Sequence, residues 1–393
     1  MAKRQIWKIP ELNYQEEYGE HRKVTWLELF FDLFFVVSIS QIAHGLGGHF
    51  SWNATINFTV FFTPIWWIWI GFTYYNERFE SDGLENRIIT FLLMLPVIGL
   101  AVFTKHDTDE NFSYFLLSYA AARIIITALW LRASFHVVTF RQTGFRYVTG
   151  FTVSAIITLI AALVGIPNSY WLFSLALIID LLTPFTTLKH QAKLPRLSSS
   201  KLPERFGLFV IIVLGEMVIG VVNGLAEVHH LTLSLFLEAS LGVALGFAFW
   251  WVYFDFIARR PPKLGTVWGF AWGYLHLPLV MAFTATGAGI SSVIGRETML
   301  SAEEKQLISS AVACALIVMS FIETTLYREN DEPSHEYLSP LLKFLSGLGA
   351  VSIGWTAAST NSLSFLFTLV LFVVLQIIYG VWIWFRQELP EKV

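Results

Sequence analysis

The sequence has a single cysteine, Cys314, which excludes an intrachain disulfide and any cysteine-based metal cluster. Charge is nearly as scarce. Asp, Glu, Lys and Arg make up 14% of the 393 residues, where a soluble domain carries about a quarter. The net charge of −3 supplies no basic field for nucleic acid. There is no glycine-rich phosphate loop, no GxSxG turn and no HExxH pair, so an ATP-driven machine, a serine hydrolase and a zinc protease find no support. What the chain has is apolar surface: 55% hydrophobic residues, 16% aromatic, and a mean hydropathy of +0.59. Most of it must sit in lipid or in a bundle within lipid. The bilayer is therefore the first expected partner.

Twelve apolar segments approach spanning length: 26–48, 54–76, 87–105, 112–134, 146–166, 168–189, 205–226, 231–257, 266–293, 304–328, 339–359 and 361–385. The expected fold is all-α and polytopic. The polar stretch before the first segment is not a cleavable signal peptide, because that segment is long, begins late and keeps Glu28 and Asp32. All but four of the 26 Lys and Arg fall in the amino-terminal tail, the even-numbered connections or the carboxy-terminal tail; the four are Lys105, Arg123, Arg296 and Lys305. That asymmetry predicts an inner-membrane protein with both termini cytoplasmic.

Short matches suggest two copies of a six-helix unit. Residues 28–37 align with 204–213, Trp66-Trp67 with Trp250-Trp251, and 129–132 with 325–328. Six is even, so the halves are expected to be parallel, with a pathway between them as in transporter folds. The expected organisation is a tail (1–25), a first half (26–189), a cytoplasmic linker (190–204), a second half (205–386) and a tail (387–393).

Ionisable residues at hydrocarbon depth are costly and tend to be functional. Glu216 lies mid-segment, and Arg205, eleven residues earlier, is about 20° away around a helix and about 16 Å along it. Asp180 is deep in the sixth segment, with Gln376 at the matching place in the twelfth, and Arg123 is the one base placed mid-span. Glu216, Asp180, Arg123 and His276 are the expected transport and proton site. For the acids the alternative is a packing hydrogen bond or an ion pair with Arg123. Glu28 and Asp32, four apart and so on one helix face, are gate candidates with Glu204, Arg205 and Asp255; structural pairing with Arg78 or Arg205 is the alternative. Glu238, Asp255 and Glu323 are expected nearer the surfaces. Trp66, Trp67, Trp250 and Trp251 are candidates for stacking a substrate, or for anchoring and packing. His44 and His276 lack a second ligand at metal spacing; no metal, cofactor or catalytic set is expected. Pro64, Pro96, Pro184 and Pro278 mark bends or hinges.

Five stretches also carry a family resemblance: TWLELFFDLFFVVSISQIA from Thr25, WWIWIGFTYYNERFESD from Trp66, ERFGLFVIIVLGEMVIG from Glu204, WWVYFDFIARRP from Trp250 and YLHLPLVMAFTATG from Tyr274. In this order they resemble the low-temperature-requirement A family of prokaryotic membrane proteins. The resemblance implies a polytopic membrane protein linked to growth in the cold, without a settled activity. The family pattern has His three residues before the ERFG glutamate; here that position is Lys201. From the residues, the expected function is a proton-linked secondary transporter of a small solute or ion. The alternatives are a channel or passive permease, and a lipid-handling or intramembrane enzyme.

Overall fold

The structure, a computed structural model of the chain, describes residues 7–14, 23–48, 51–79, 83–104, 109–226, 230, 232–295, 299–328, 334–356 and 361–386. Lys3, Arg4, Arg22, Lys105 and Arg296 lie outside the described residues, as does the expected tail 387–393. Among the described residues the chain is helical apart from an isolated bridge between Pro262 and Leu326.

Twelve long helices follow in order. The first six are α1 (Trp26–Gly48), α2 (Trp52–Phe79), α3 (Leu84–Val102), α4 (Asp109–His136), α5 (Arg141–Leu163) and α6 (Asn168–Leu182). The rest are α7 (Lys201–Ala226), α8 (Leu233–Tyr253), α9 (Thr266–Val293), α10 (Ala302–Thr325), α11 (Leu338–Gly354) and α12 (Ser362–Arg386). A 3₁₀ turn at Thr183–Thr187, opened by Pro184, extends α6, and a π-helical turn at Phe254–Ala258 extends α8. Pro64, Pro96 and Pro278 lie inside helices that continue through them.

Eleven of these helices are long and apolar enough to cross a membrane. The exception is the eleventh expected span, 339–359, where the helix is shorter than the apolar run: α11 has 17 residues, about 25 Å at 1.5 Å per residue, against a hydrocarbon core of about 30 Å. It ends at Gly354 because the chain tightens there. Trp355 and Thr356 donate to the carbonyls of Ser352 and Ile353, and the Thr356 carbonyl accepts from Lys305 Nζ at 3.4 Å.

Local chemistry sets the helix starts. The T-x-x-E of Thr25 and Glu28 and the S-x-x-E of Ser301 and Glu304 form capping boxes, and Thr232 Oγ1 caps α8 by accepting from Leu235 N. Within the spans many hydroxyls bond back to the carbonyl four residues earlier, as at Thr73, Thr127 and Thr158, which satisfies them without water. Polarity is turned inside out on α1: Phe30, Leu33 and Val37 are exposed while Glu28 and Asp32 are buried. In water that pattern would be costly; in lipid it is the favourable one.

Contacts divide the chain into two compact units, Met1–Ile42 with Thr59–Arg205, and Ala43–Phe58 with Phe206–Val393. In the first, α4 packs on α3 and α5, and α5 on α6; in the second, α10 packs on α9 and α11, α11 on α12, and α8 on α12. The first unit also holds an amino-terminal arm, Trp7–Tyr14. Arg132 donates to the Lys8 carbonyl and lies 5.0 Å from the Trp7 ring centroid. Asn13 N donates to the Arg78 carbonyl at 3.0 Å, and Pro10 and Leu12 are buried.

Candidate functional site

Among the described residues, three groups of buried charged side chains stand out, apart from Arg78, one expected partner of Glu28 and Asp32, which instead donates to the Pro195 carbonyl. The first is built by the opening turns of α1 and α7. Glu28 and Asp32 stand one turn apart on α1, and Lys201 and Arg205 one turn apart on α7, so two acids face two bases at the same spacing. Glu28 Oε2 takes Lys201 Nζ at 2.9 Å and Glu28 Oε1 takes Arg205 Nη1 at 2.8 Å. Asp32 Oδ1 accepts from Arg205 Nη2 at 3.3 Å and from Trp69 Nε1 of α2 at 2.8 Å. All four charged residues are at most 2% exposed, and their charges balance. Of the expected gate residues the structure brings Glu28, Asp32 and Arg205 together. Glu204 faces outward beside the Val24 amide. Asp255 sits in the π-helical turn, half-exposed, accepting from Trp251 Nε1 at 2.6 Å and pairing with Arg259 at 3.4 Å.

The second place joins α4 to α6. Arg123 and Asp180 are both fully buried; Nε and Nη2 reach Oδ1 at 3.1 and 3.0 Å, and Nε reaches Oδ2 at 3.0 Å. Tyr119 Oη donates to Asp180 Oδ2. The guanidinium lies 3.9 Å from the Phe151 ring centroid and 5.7 Å from that of Trp67. Here the structural pairing named as the alternative is what the geometry contains. Trp66 and Trp67 are buried with centroids 6.0 Å apart, whereas Trp250 is exposed and stacks on Phe247.

The third place is in the second unit. Glu323 lies two residues before the end of α10 and is 4% exposed, covered by α11 and by the chain after α8. Its Oε2 takes Lys343 Nζ at 2.9 Å and Ser339 Oγ at 3.0 Å, and its Oε1 takes Arg260 Nη1 at 3.3 Å. Lys343 Nζ also donates to Ser339 Oγ at 2.8 Å and lies 3.8 Å from the Phe256 ring centroid. Ser339 and Lys343 are one turn apart on α11, a spacing that could have flagged them.

Glu216 is buried on α7 where α9 comes closest: a Cβ at Gly287 would lie 3.1 Å from the Glu216 carbonyl oxygen. His276 is buried on α9, its Nδ1 against the Trp272 carbonyl at 2.7 Å and its Nε2 against Tyr253 Oη at 3.0 Å. The carbonyl only accepts, so the proton belongs on Nδ1 and the tyrosine donates to Nε2. Gln376 Nε2 donates to Ser346 Oγ at 2.8 Å. Among the described residues no three His, Cys, Asp or Glu are placed to hold a metal ion, and His44 is exposed. A cavity of about 20 Å³, lined among others by Lys8, Pro10, Tyr75, Glu85 and Arg132, has room for about one water under the amino-terminal arm.

Sequence reasoning did not single out Trp69, Tyr119, Lys343 or Arg260. Lys201 stood out only as a departure from a pattern, and it proves to be a partner of Glu28.

The chain is similar in sequence to known proteins. Residues 23–384 match the family described as bacterial low temperature requirement A protein (LtrA). An uncharacterized protein of Rhizobium meliloti (strain 1021) is 27% identical over 307 residues, covering 70% of this chain and 71% of that one. No solved structure matches the chain.

Proposed function

We propose that this chain, which belongs to the bacterial low temperature requirement A family, is a proton-linked secondary transporter of a small solute in the inner membrane. In this reading both termini are cytoplasmic and the two six-helix halves run parallel. The shared order of neighbours supports the repeat: α3–α4, α4–α5 and α5–α6 pack in one unit, and α9–α10, α10–α11 and α11–α12 in the other.

The observation that carries the transport reading is the balanced network of Glu28, Asp32, Lys201 and Arg205. A charge pair at 2.8 Å attracts with about 6 kcal/mol at an effective dielectric of about 20, but with only about 1.5 kcal/mol in water. Contacts of this kind hold while dry and let go when wetted, which is what a gate between α1 and α7 requires.

Two acids at span depth are candidates for the coupling proton, Asp180 and Glu216. The test is uptake into proteoliposomes under an imposed pH gradient, with Asp180→Asn and Glu216→Gln compared. The amide at the coupling position leaves uptake indifferent to the gradient, and the other does not. Flux through the intact protein that ignores the gradient, or single-channel currents, would refute the transporter and favour a passive pore. The cold setting in the family's description fits a solute whose accumulation matters at low temperature.

A further inference from the structure

The amino-terminal arm Trp7–Tyr14 has two faces. Pro10 and Leu12 are buried against the first unit, while Trp7 and Ile9 are 56% and 58% exposed, with Lys8 exposed between them. Two large apolar side chains turned outward within three residues are unfavourable in water. At the edge of a bilayer they are at home, because an indole with its apolar body and polar N–H settles at headgroup level.

Its attachments set the level of the arm. Asn13 N donates to the Arg78 carbonyl in the last turn of α2, and the Lys8 carbonyl accepts from Arg132 near the end of α4. The opening turn of α3 meets the same end of the unit, where Glu85 and Asn86 line the small cavity with Lys8 and Arg132. Ile88 of α3 and Phe135 of α4 are exposed there. The arm therefore lies where three helices leave their apolar surroundings.

Charge at this end is mostly of one sign. Lys3, Arg4 and Lys8 fall within the first ten residues of the sequence, with no acid among those ten. Arg132 adds a base beside the arm, and Arg87 is exposed in the first turn of α3. The acids are Glu11, exposed, and Glu85, buried. Arg132 ties the Lys8 carbonyl and the Trp7 ring to one guanidinium, so a base and an aromatic are presented together. An apolar insertion and a basic cluster are the two signals that together hold a segment on anionic lipid.

We infer that the arm is an interfacial anchor for anionic phospholipid: Trp7 and Ile9 enter the boundary between headgroups and acyl chains, and Lys8 with its neighbouring bases meets the lipid phosphates. The anchor stands whether or not the chain is a transporter.

The test uses the full chain with Cys314→Ser, which removes the one thiol, and Ile9→Cys, which puts a single nitroxide label on the outward face. The protein is reconstituted in nanodiscs of phosphatidylcholine alone and of phosphatidylcholine mixed with phosphatidylglycerol. Collisions with oxygen and with a water-soluble nickel chelate report the depth of the label. In the mixture the label is expected about 5–10 Å inside the headgroup boundary. Lys8→Gln should lower the ratio of inserted to free arm about fivefold, and sodium chloride at about 1 M should act in the same direction. In phosphatidylcholine alone the ratio should also fall. A label that meets the nickel chelate freely in both lipids would overturn the anchor. Insertion that is equal in the two lipids and indifferent to Lys8→Gln would overturn the recognition of anionic lipid. Spin–spin broadening between labels would assign the face to a second copy of the chain and overturn the inference as well.

Discussion

Replacing Glu323 by Ala should be among the most destabilising single changes in the second unit, and the geometry sets the size. The carboxylate receives Lys343 Nζ at 2.9 Å and Arg260 Nη1 at 3.3 Å; at an effective dielectric of about 20 these attractions come to about 6 and about 5 kcal/mol. Against them stands the desolvation of each ion, several kcal/mol apiece, so the intact cluster contributes little net stability. Removing the acid alone is different. Lys343 is 0% exposed and loses its carboxylate, leaving Ser339 Oγ and the Phe256 ring. The expected cost is about 3–5 kcal/mol. Lys343→Met keeps the apolar stem and leaves Glu323 bonded to Arg260 and Ser339, so it should cost about 1–2 kcal/mol. Glu323→Gln/Lys343→Met removes the charges of that pair but leaves Arg260 without its carboxylate, so it should cost about 1–3 kcal/mol more than Lys343→Met alone and less than the sum of the two single changes. Reversible unfolding by sodium dodecyl sulfate in mixed micelles measures all of these, with Glu323→Gln completing the cycle. Strict additivity of the Glu323→Gln and Lys343→Met effects would refute the reasoning, because the two groups would then be energetically independent despite the short contact.

The same unfolding assay tests two further contacts. Gly220→Ala would put a Cβ 2.3 Å from the Gly287 carbonyl oxygen, forcing α7 and α9 apart at a cost of about 1–3 kcal/mol. Gly215→Ala on the same helix meets nothing within 4 Å and should be neutral or stabilising by up to about 1 kcal/mol; equal effects at the two glycines would contradict the assigned seam. Trp69→Phe keeps one aromatic ring but removes the indole N–H donor to Asp32 Oδ1 and leaves a void at a fully buried site, with an expected loss of about 2–4 kcal/mol. On the proposed transport reading that variant should also raise uptake into proteoliposomes at a fixed pH gradient, because Asp32 loses a tie in the proposed gate; unchanged uptake would count against that role for Trp69.

The helices were legible because hydrophobic run length reports directly on what lipid demands. The expected 26–48 and 266–293 coincide with α1 and α9, and most others differ by a few residues at the ends, where capping and backbone turns rather than hydropathy decide. α11 departs because its apolar run continues past Gly354, where the backbone leaves the helix. The partners of the buried charges were harder to read. Glu28 and Asp32 announced one face of α1, but nothing local says that the bases lie 173 and 177 positions along the chain. Lys343 carries no local signal, because a base near a helix start usually reaches for water; here the helix carries it inward against Glu323. Arg123 and Asp180 were visible as candidates, but the close packing of Gly71 on Arg123 is a property of the folded chain alone.

The clip between Trp7–Tyr14 and Arg78 and Arg132 has a practical consequence. Its sequence carries no apolar run and would be trimmed as a dispensable leader by anyone designing an expression vector from hydropathy alone. Cutting it away would bare the Tyr75 and Phe79 side of the small cavity and release an arginine from its ring.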